Sequence, residues 1–344
     1  MELTRFRFLG LDGRAWLIAA AVLAAALLAP LFLLDRFNTL QFARVWTFAI
    51  ALIGLNILTG YSGQISLGNG AFMAIGGYTT AVLYWKLRIP YGLTILPAGL
   101  LAGLAGYLFG FPALKLRGLY LALATFALAL SAPPVIKNYG QLTNGQEGIV
   151  LPSALDPSGL GLTNEQWLYY LTLAIAVVLF LFARAMLRGG TGRAFRAIRD
   201  SETAAVASGI SPTYYKTLAF GLSAFYAGVA GSLGVVLIAY VNPDSFDLPL
   251  SLSLLVGAVV GGLGTLAGPV LGAAFVVWLP NYAQRLFSKP DISYGVILIL
   301  VLFLLPQGIA GGVRQLAGLL RRLPAGGTPS QAEAPPAESR AGPS

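Results

Sequence analysis

Two stretches of this chain concentrate the side chains that could do chemistry. Residues 192–210, GRAFRAIRDSETAAVASGI, gather Arg193, Arg196, Arg199, Asp200 and Glu202 in one soluble-looking segment. Residues 60–72, GYSGQISLGNGAF, set Tyr61, Ser62, Gln64, Ser66 and Asn69 among four glycines. Neither is a catalytic constellation. The chain has no Cys and no His, which removes thiolate nucleophiles, Cys/His zinc sites and imidazole acid–base chemistry together. An intramembrane enzyme would then need a carboxylate pair, and the acids cluster in loops. Asp244 and Asp247 come closest, but NPDSFDLP reads as a turn. What remains is recognition: a charged segment for docking, and uncharged hydrogen-bonding groups with open backbone beside a polar solute.

The elements that position these stretches are written in the composition. Of 344 residues, 57% are hydrophobic and only 10% charged, against about a quarter charged in soluble domains. The expected fold class is therefore all-α: a polytopic membrane protein in which glycine and proline serve close helix packing and broken helices. Apolar runs lie near 15–34, 40–58, 66–85, 91–111, 118–136, 166–183, 217–240, 250–282 and 291–310. The first is long enough to span a bilayer, which needs about 20 residues, and reads as a retained span rather than a signal peptide. The run 250–282 is too long for one span, and GAVVGGLGTLAGPVLGAA invites a break at its glycines and Pro269. Two short spans or a re-entrant pair both fit, giving eight to ten crossings.

Alternation from a cytoplasmic N-terminus places 15 of the 22 Lys+Arg inside, in 1–14, 112–117, 184–216 and 311–344. That satisfies the positive-inside rule, and the opposite orientation violates it. Both termini and the segment 188–216 are then cytoplasmic. The membrane domain covers 1–322. The tail 323–344, rich in Pro, Ala, Gly and Ser, has almost nothing to bury and is expected to be disordered. The charge of +9 serves topology, and no nucleic-acid partner is expected from it.

Within 188–216 the punctuation is local. Ser201 suits an N-cap, Glu202 the first turn, and Gly209 the C′ position. Ser211–Pro212 restarts a helix. A short helix over about 202–208 follows, with another helical turn or two at 193–199. Too short to fold alone, it suits a groove on another protein, although a solvated loop whose arginines fix topology is an equal reading of the residues.

A resemblance separates them. ETAAVASGI (Glu202–Ile210) looks like the EAA loop of bacterial ABC-importer permeases, with Glu202, Ala204, Ala205 and Gly209 in order and spacing. GYSGQISLGNGAFMAIGGYTTAVL and FPALKLRGLYLALATFALAL resemble the branched-chain amino acid permease family, most of all the longer of its two permease subunits; the glycine-rich 257–272 region fits too. The likeness spans roughly 40–310. It implies a multi-pass permease in the bacterial plasma (inner) membrane, paired with a second permease, two cytoplasmic ATPase subunits and an extracytoplasmic binding protein. In that setting Arg193, Arg196, Arg199, Glu202, Ala204, Ala205 and Gly209 form the ATPase-coupling segment, the arginines steering or pairing with acidic groups on the partner. No cofactor is expected on this chain. ATP would be hydrolysed by partner subunits, because none of the five lysines follows a glycine as a P-loop requires.

Tyr61, Ser62, Gln64, Ser66 and Asn69 are candidate pathway residues, with helix packing the competing role for this glycine-rich stretch. The spans hold no acid of the kind a proton- or sodium-coupled secondary transporter uses. Arg44, the one charge inside an apolar run, is expected to snorkel to the outer interface. The solute stays open among branched-chain and other amino acids, urea and short amides.

Overall fold

The computed structural model describes residues 24–30, 34–113, 116, 118–152, 162–286 and 308–312, with side chains omitted for 283–286. Several expectations fall outside the described residues: most of the runs 15–34 and 291–310, the tail 323–344, and the cations Arg5, Arg7, Arg14, Lys115, Arg117, Lys289, Arg314, Arg321, Arg322 and Arg340.

Apolar residues without period-2 alternation make helices, and the described chain is almost wholly helical. In order come α1 (Arg36–Leu55), continued by a π-helical turn Asn56–Tyr61, α2 (Asn69–Leu87), α3 (Tyr91–Ala113) and α4 (Leu119–Asn138). Then follow α5 (Asn164–Arg188), α6 (Gly190–Asp200), α7 (Glu202–Ala207), α8 (Pro212–Ile238), α9 (Leu248–Gly261) and α10 (Gly268–Leu286). Among the described residues, six helices are long and apolar enough to cross a membrane. This is an all-α polytopic membrane protein.

Helix α8 is the axis of the bundle, packing chiefly against α3, α2 and α1. Lipid offers no hydrophobic drive between helices, so small residues must let backbones approach. The α2–α8 contact shows how far this goes. A Cβ on Gly76 would collide with the Gly228 carbonyl, and one on Gly231 with the Met73 carbonyl. Hydroxyl pairs add polar clamps in the same seam, with Thr80 and Ser232 2.6 Å apart and both fully buried.

The helix ends fall into two groups. At one end a two-residue ladder pairs β1 (Ile149–Val150) with β2 (Tyr240–Val241). Lys137 meets Asp244 at 2.6 Å there, and Lys86 donates to the Gln141 carbonyl at 2.9 Å. NPDSFDLP is the turn it was expected to be: a 3₁₀ helix, Pro243–Phe246, followed by Asp247 capping α9 through Leu250 N–H. At the other end residues 62–65, 113, 116, 118, 121, 198, 199, 202 and 216 come together, in the grouping that strict alternation requires.

The run 250–282 is a helical hairpin. Its bend, with Gly262 and Gly264 at positive φ, meets Gly60 at the far end of α1. Helix α10 then returns along α1 until Trp278 and Tyr282 reach Phe37 and Asn38. Helix α10, nineteen residues long, rises about 28 Å along α1. Gly257 and Gly272 set its spacing, since a Cβ on either would press into the facing helix. Arg44 is exposed.

Gly76→Val should lower the unfolding midpoint in detergent, costing about 1–3 kcal/mol through overpacking. Gly92→Ala, with nothing within 4 Å of the new methyl, should cause no loss in the same melt.

Candidate functional site

The site is built where α1 breaks. A π-turn ends α1 at Tyr61, and Ser62–Gly68 run on without helix. Such single π-turns recur at functional positions. Gly63, at φ 75, makes the turn that a side chain would resist. The loop then satisfies itself: Thr59 Oγ1 donates to the Gln64 carbonyl at 3.0 Å and Gln64 Nε2 to Ser62 Oγ at 2.7 Å. Ser66 Oγ accepts from Gly68 N–H at 3.3 Å.

The candidate pathway residues separate into two groups. Asn69 exchanges hydrogen bonds with Ser223 at 3.4 Å, and its neighbour Gly70 donates N–H to Ser251 Oγ at 3.0 Å. Ser66, Asn69, Ser223 and Ser251 are all buried, and Leu67 N–H is held by Thr125 Oγ1 at 2.9 Å. Tyr61 is buried in the main core cluster. Ser62 and Gln64, buried as well, line a cleft of about 240 Å³ shared with Ile65, Arg199, Glu202 and Lys216. The two stretches that the sequence keeps well apart thus share one cavity wall.

On the other side of that cleft stand α6 and α7. Helix α6 buries Ala194, Phe195 and Ile198, with Phe195 edge-on to Tyr215 at 6.1 Å. Its arginines have distinct places. Arg193 is exposed, Arg196 Nη1 donates to the Leu187 carbonyl at 3.3 Å, and Arg199 Nη1 donates to the Gly60 carbonyl at 2.9 Å.

Helix α7 ends as its punctuation predicts. Ser201 Oγ accepts from Ala204 N–H. Gly209, at φ 78, closes a Schellman motif in which Ile210 N–H reaches the Ala205 carbonyl and Gly209 N–H the Val206 carbonyl. Glu202 pairs with Lys216 at 2.8 Å, tying α7 to the first turns of α8. Ala205 is buried, while Thr203, Ala204, Val206 and Ala207 are exposed. One face of α7 is therefore anchored and the other is open.

The residue reading missed Lys216 as the partner of Glu202, 14 residues away in the first turns of the next helix. It also missed Asn56, whose amide donates to the Thr265 carbonyl at 2.7 Å and accepts from Gly264 N–H at 2.8 Å. An uncharged polar residue inside the apolar run 40–58 was its only trace.

The family model described as branched-chain amino acid transport system / permease component matches residues 39–305. The high-affinity branched-chain amino acid transport system permease protein LivM of Escherichia coli K12 is 32% identical over 323 residues, covering 86% of this chain and 74% of the relative. LivM of Salmonella typhimurium LT2 is also 32% identical, over 319 residues, 85% of this chain and 74% of its own. LivH of Escherichia coli K12 is 26% identical over 297 residues, covering 81% of this chain and 96% of the relative. No solved structure shows a significant match.

Glu202→Lys alone should speed amide exchange across 203–208 roughly fivefold, equivalent to about 1 kcal/mol for such a pair. Adding Lys216→Glu should restore most of the protection, read by hydrogen-exchange mass spectrometry in detergent.

Proposed function

The chain belongs to the branched-chain amino acid transport permease family, and on that premise we propose that it forms half of the translocation pathway of an ATP-driven importer. Its cargo is a branched-chain or other hydrophobic amino acid, in keeping with the systems for which the LivM and LivH relatives are named. A second permease chain completes the pathway, two ATPase subunits drive it, and an extracytoplasmic binding protein delivers the solute.

The observation that carries this reading is the split character of α7. Its inner face is fixed by Ala205 and by the Glu202–Lys216 pair, while Thr203, Ala204, Val206 and Ala207 are presented outward. Val206, 56% exposed, is an apolar side chain on a short helix outside any span, which suits a groove on a protein partner. Residues 190–216 face the cytoplasm in this reading, as the distribution of Lys and Arg supports. ATP binds the partner subunits and this chain holds no cofactor. The small hydroxyl-bearing residues of the helix seams suit a low-polarity route, with selectivity resting largely on the binding protein.

ATP-dependent uptake in proteoliposomes holding the chain with its sister permease, ATPases and binding protein is the test. Leucine should accumulate and urea or acetamide should not; solute entry with this chain alone would sink the proposal. Val206→Asp should leave the chain membrane-inserted, yet cut ATPase co-purification at least tenfold.

A further inference from the structure

Arg199 lies on the exposed segment, and the sequence offers it as a partner-facing cation. Its geometry is different. The guanidinium turns inward, and Nη1 donates to the carbonyl of Gly60, 139 residues away, at 2.9 Å. Gly60 sits one residue before the end of the π-turn, where carbonyls lack helical partners and carry the negative end of the dipole. A charged, planar, multi-donor group is the side chain best matched to that terminus. The stem is equally committed. It lies over Gly63, where an added Cβ would stand 2.7 Å from Arg199 Cγ. Asp200 steadies the head by accepting from Nε at 3.1 Å.

The same node holds the hairpin bend. A Cβ on Gly264 would stand 3.5 Å from Arg199 Nη1, and the Asn56 side chain grips the bend through Gly264 N–H and the Thr265 carbonyl. Between Arg199 and α7 stand only Asp200 and Ser201, and Ser201 N–H is held by the Ala197 carbonyl at 3.0 Å. Displacement of α7 therefore reaches Arg199 with no slack.

We propose that Arg199 is a positioning residue for coupling: a strut joining α6–α7 to the broken end of α1 and the α9–α10 bend, so that the three shift as one body. It rests on the reading of 190–216 as the ATPase-facing segment. Among the described residues, Arg193 and Arg196 make no such connection.

The test uses the complete importer in proteoliposomes, reading ATPase co-purification, ATP hydrolysis and solute uptake together. Arg199→Ala should keep its ATPases and go on hydrolysing ATP, while uptake per ATP falls at least tenfold. Unchanged uptake per ATP overturns the proposal. So does loss of the ATPases, which would assign Arg199 to the partner interface instead. A wild-type chain that fails to hold ATPases sinks the functional reading rather than the strut. A covalent replacement decides the matter where Arg199→Ala does not assemble. The chain has no cysteine, and a Cβ on Gly63 would lie 3.4 Å from that of Arg199, near the disulfide range of about 3.5–4.5 Å. Gly63→Cys with Arg199→Cys should regain uptake per ATP on oxidation and lose it on reduction. The strain of a side chain at Gly63, φ 75, is common to both redox states of the pair, so an oxidised pair no better than the reduced one refutes the strut.

Discussion

A helix end must hand its last carbonyls to something, because each buried orphan costs about 1–3 kcal/mol. Much of this molecule follows from how α1 meets that demand. Its π-turn leaves the Gly60 carbonyl pointing out of the helix, and the group that answers comes from outside the spans: Arg199 of α6. Asn56, one turn earlier, spends its whole amide on the bend between α9 and α10. Three segments distant in sequence are thereby fixed around one helix end. The glycines there are consequences of the crowding, since a Cβ on Gly60 would run into Asn56 and Gly264.

The second constraint is the spacing of α8 from its neighbours. Close approach at Gly76, Gly228 and Gly231 brings backbone against backbone, and packed interiors of that density move as blocks rather than deform. The polar side chains in the seams, Asn69 with Ser223 and Thr80 with Ser232, fix the register of those blocks. Helices α4 and α5, in contrast, bury little of themselves within the chain. The result is a rigid centre with two flanks that leave most of their surface uncovered within this chain.

What could be read in the sequence was local. Ser201, Gly209 and Ser211–Pro212 act within a few residues of themselves, so the ends of α7 and the start of α8 were legible before any coordinates. The break in 250–282 was legible for the same reason. The internal roles of Arg199 and Asn56 were hidden. Their partners lie 139 and 209 residues away, and an arginine pairing with a backbone carbonyl leaves no complementary residue to notice. The polar cluster at 61–69 was visible as one group. Its division, with Ser62 and Gln64 on a cleft while Ser66 and Asn69 serve packing, depended on which helix each residue happened to face.

The arrangement also explains how a six-residue helix could serve as the mechanical input proposed for it. Alone it would melt, since nucleation outweighs the few hydrogen bonds it makes. Here Ser201 and the Schellman closure satisfy both ends, Ala205 is buried, and Glu202 ties the inner face to α8 through Lys216. That leaves the outer face free to be gripped without unfolding the element that transmits the grip. A longer, self-sufficient helix would need none of these tethers, and would then have no stiff connection through which to act on the bundle.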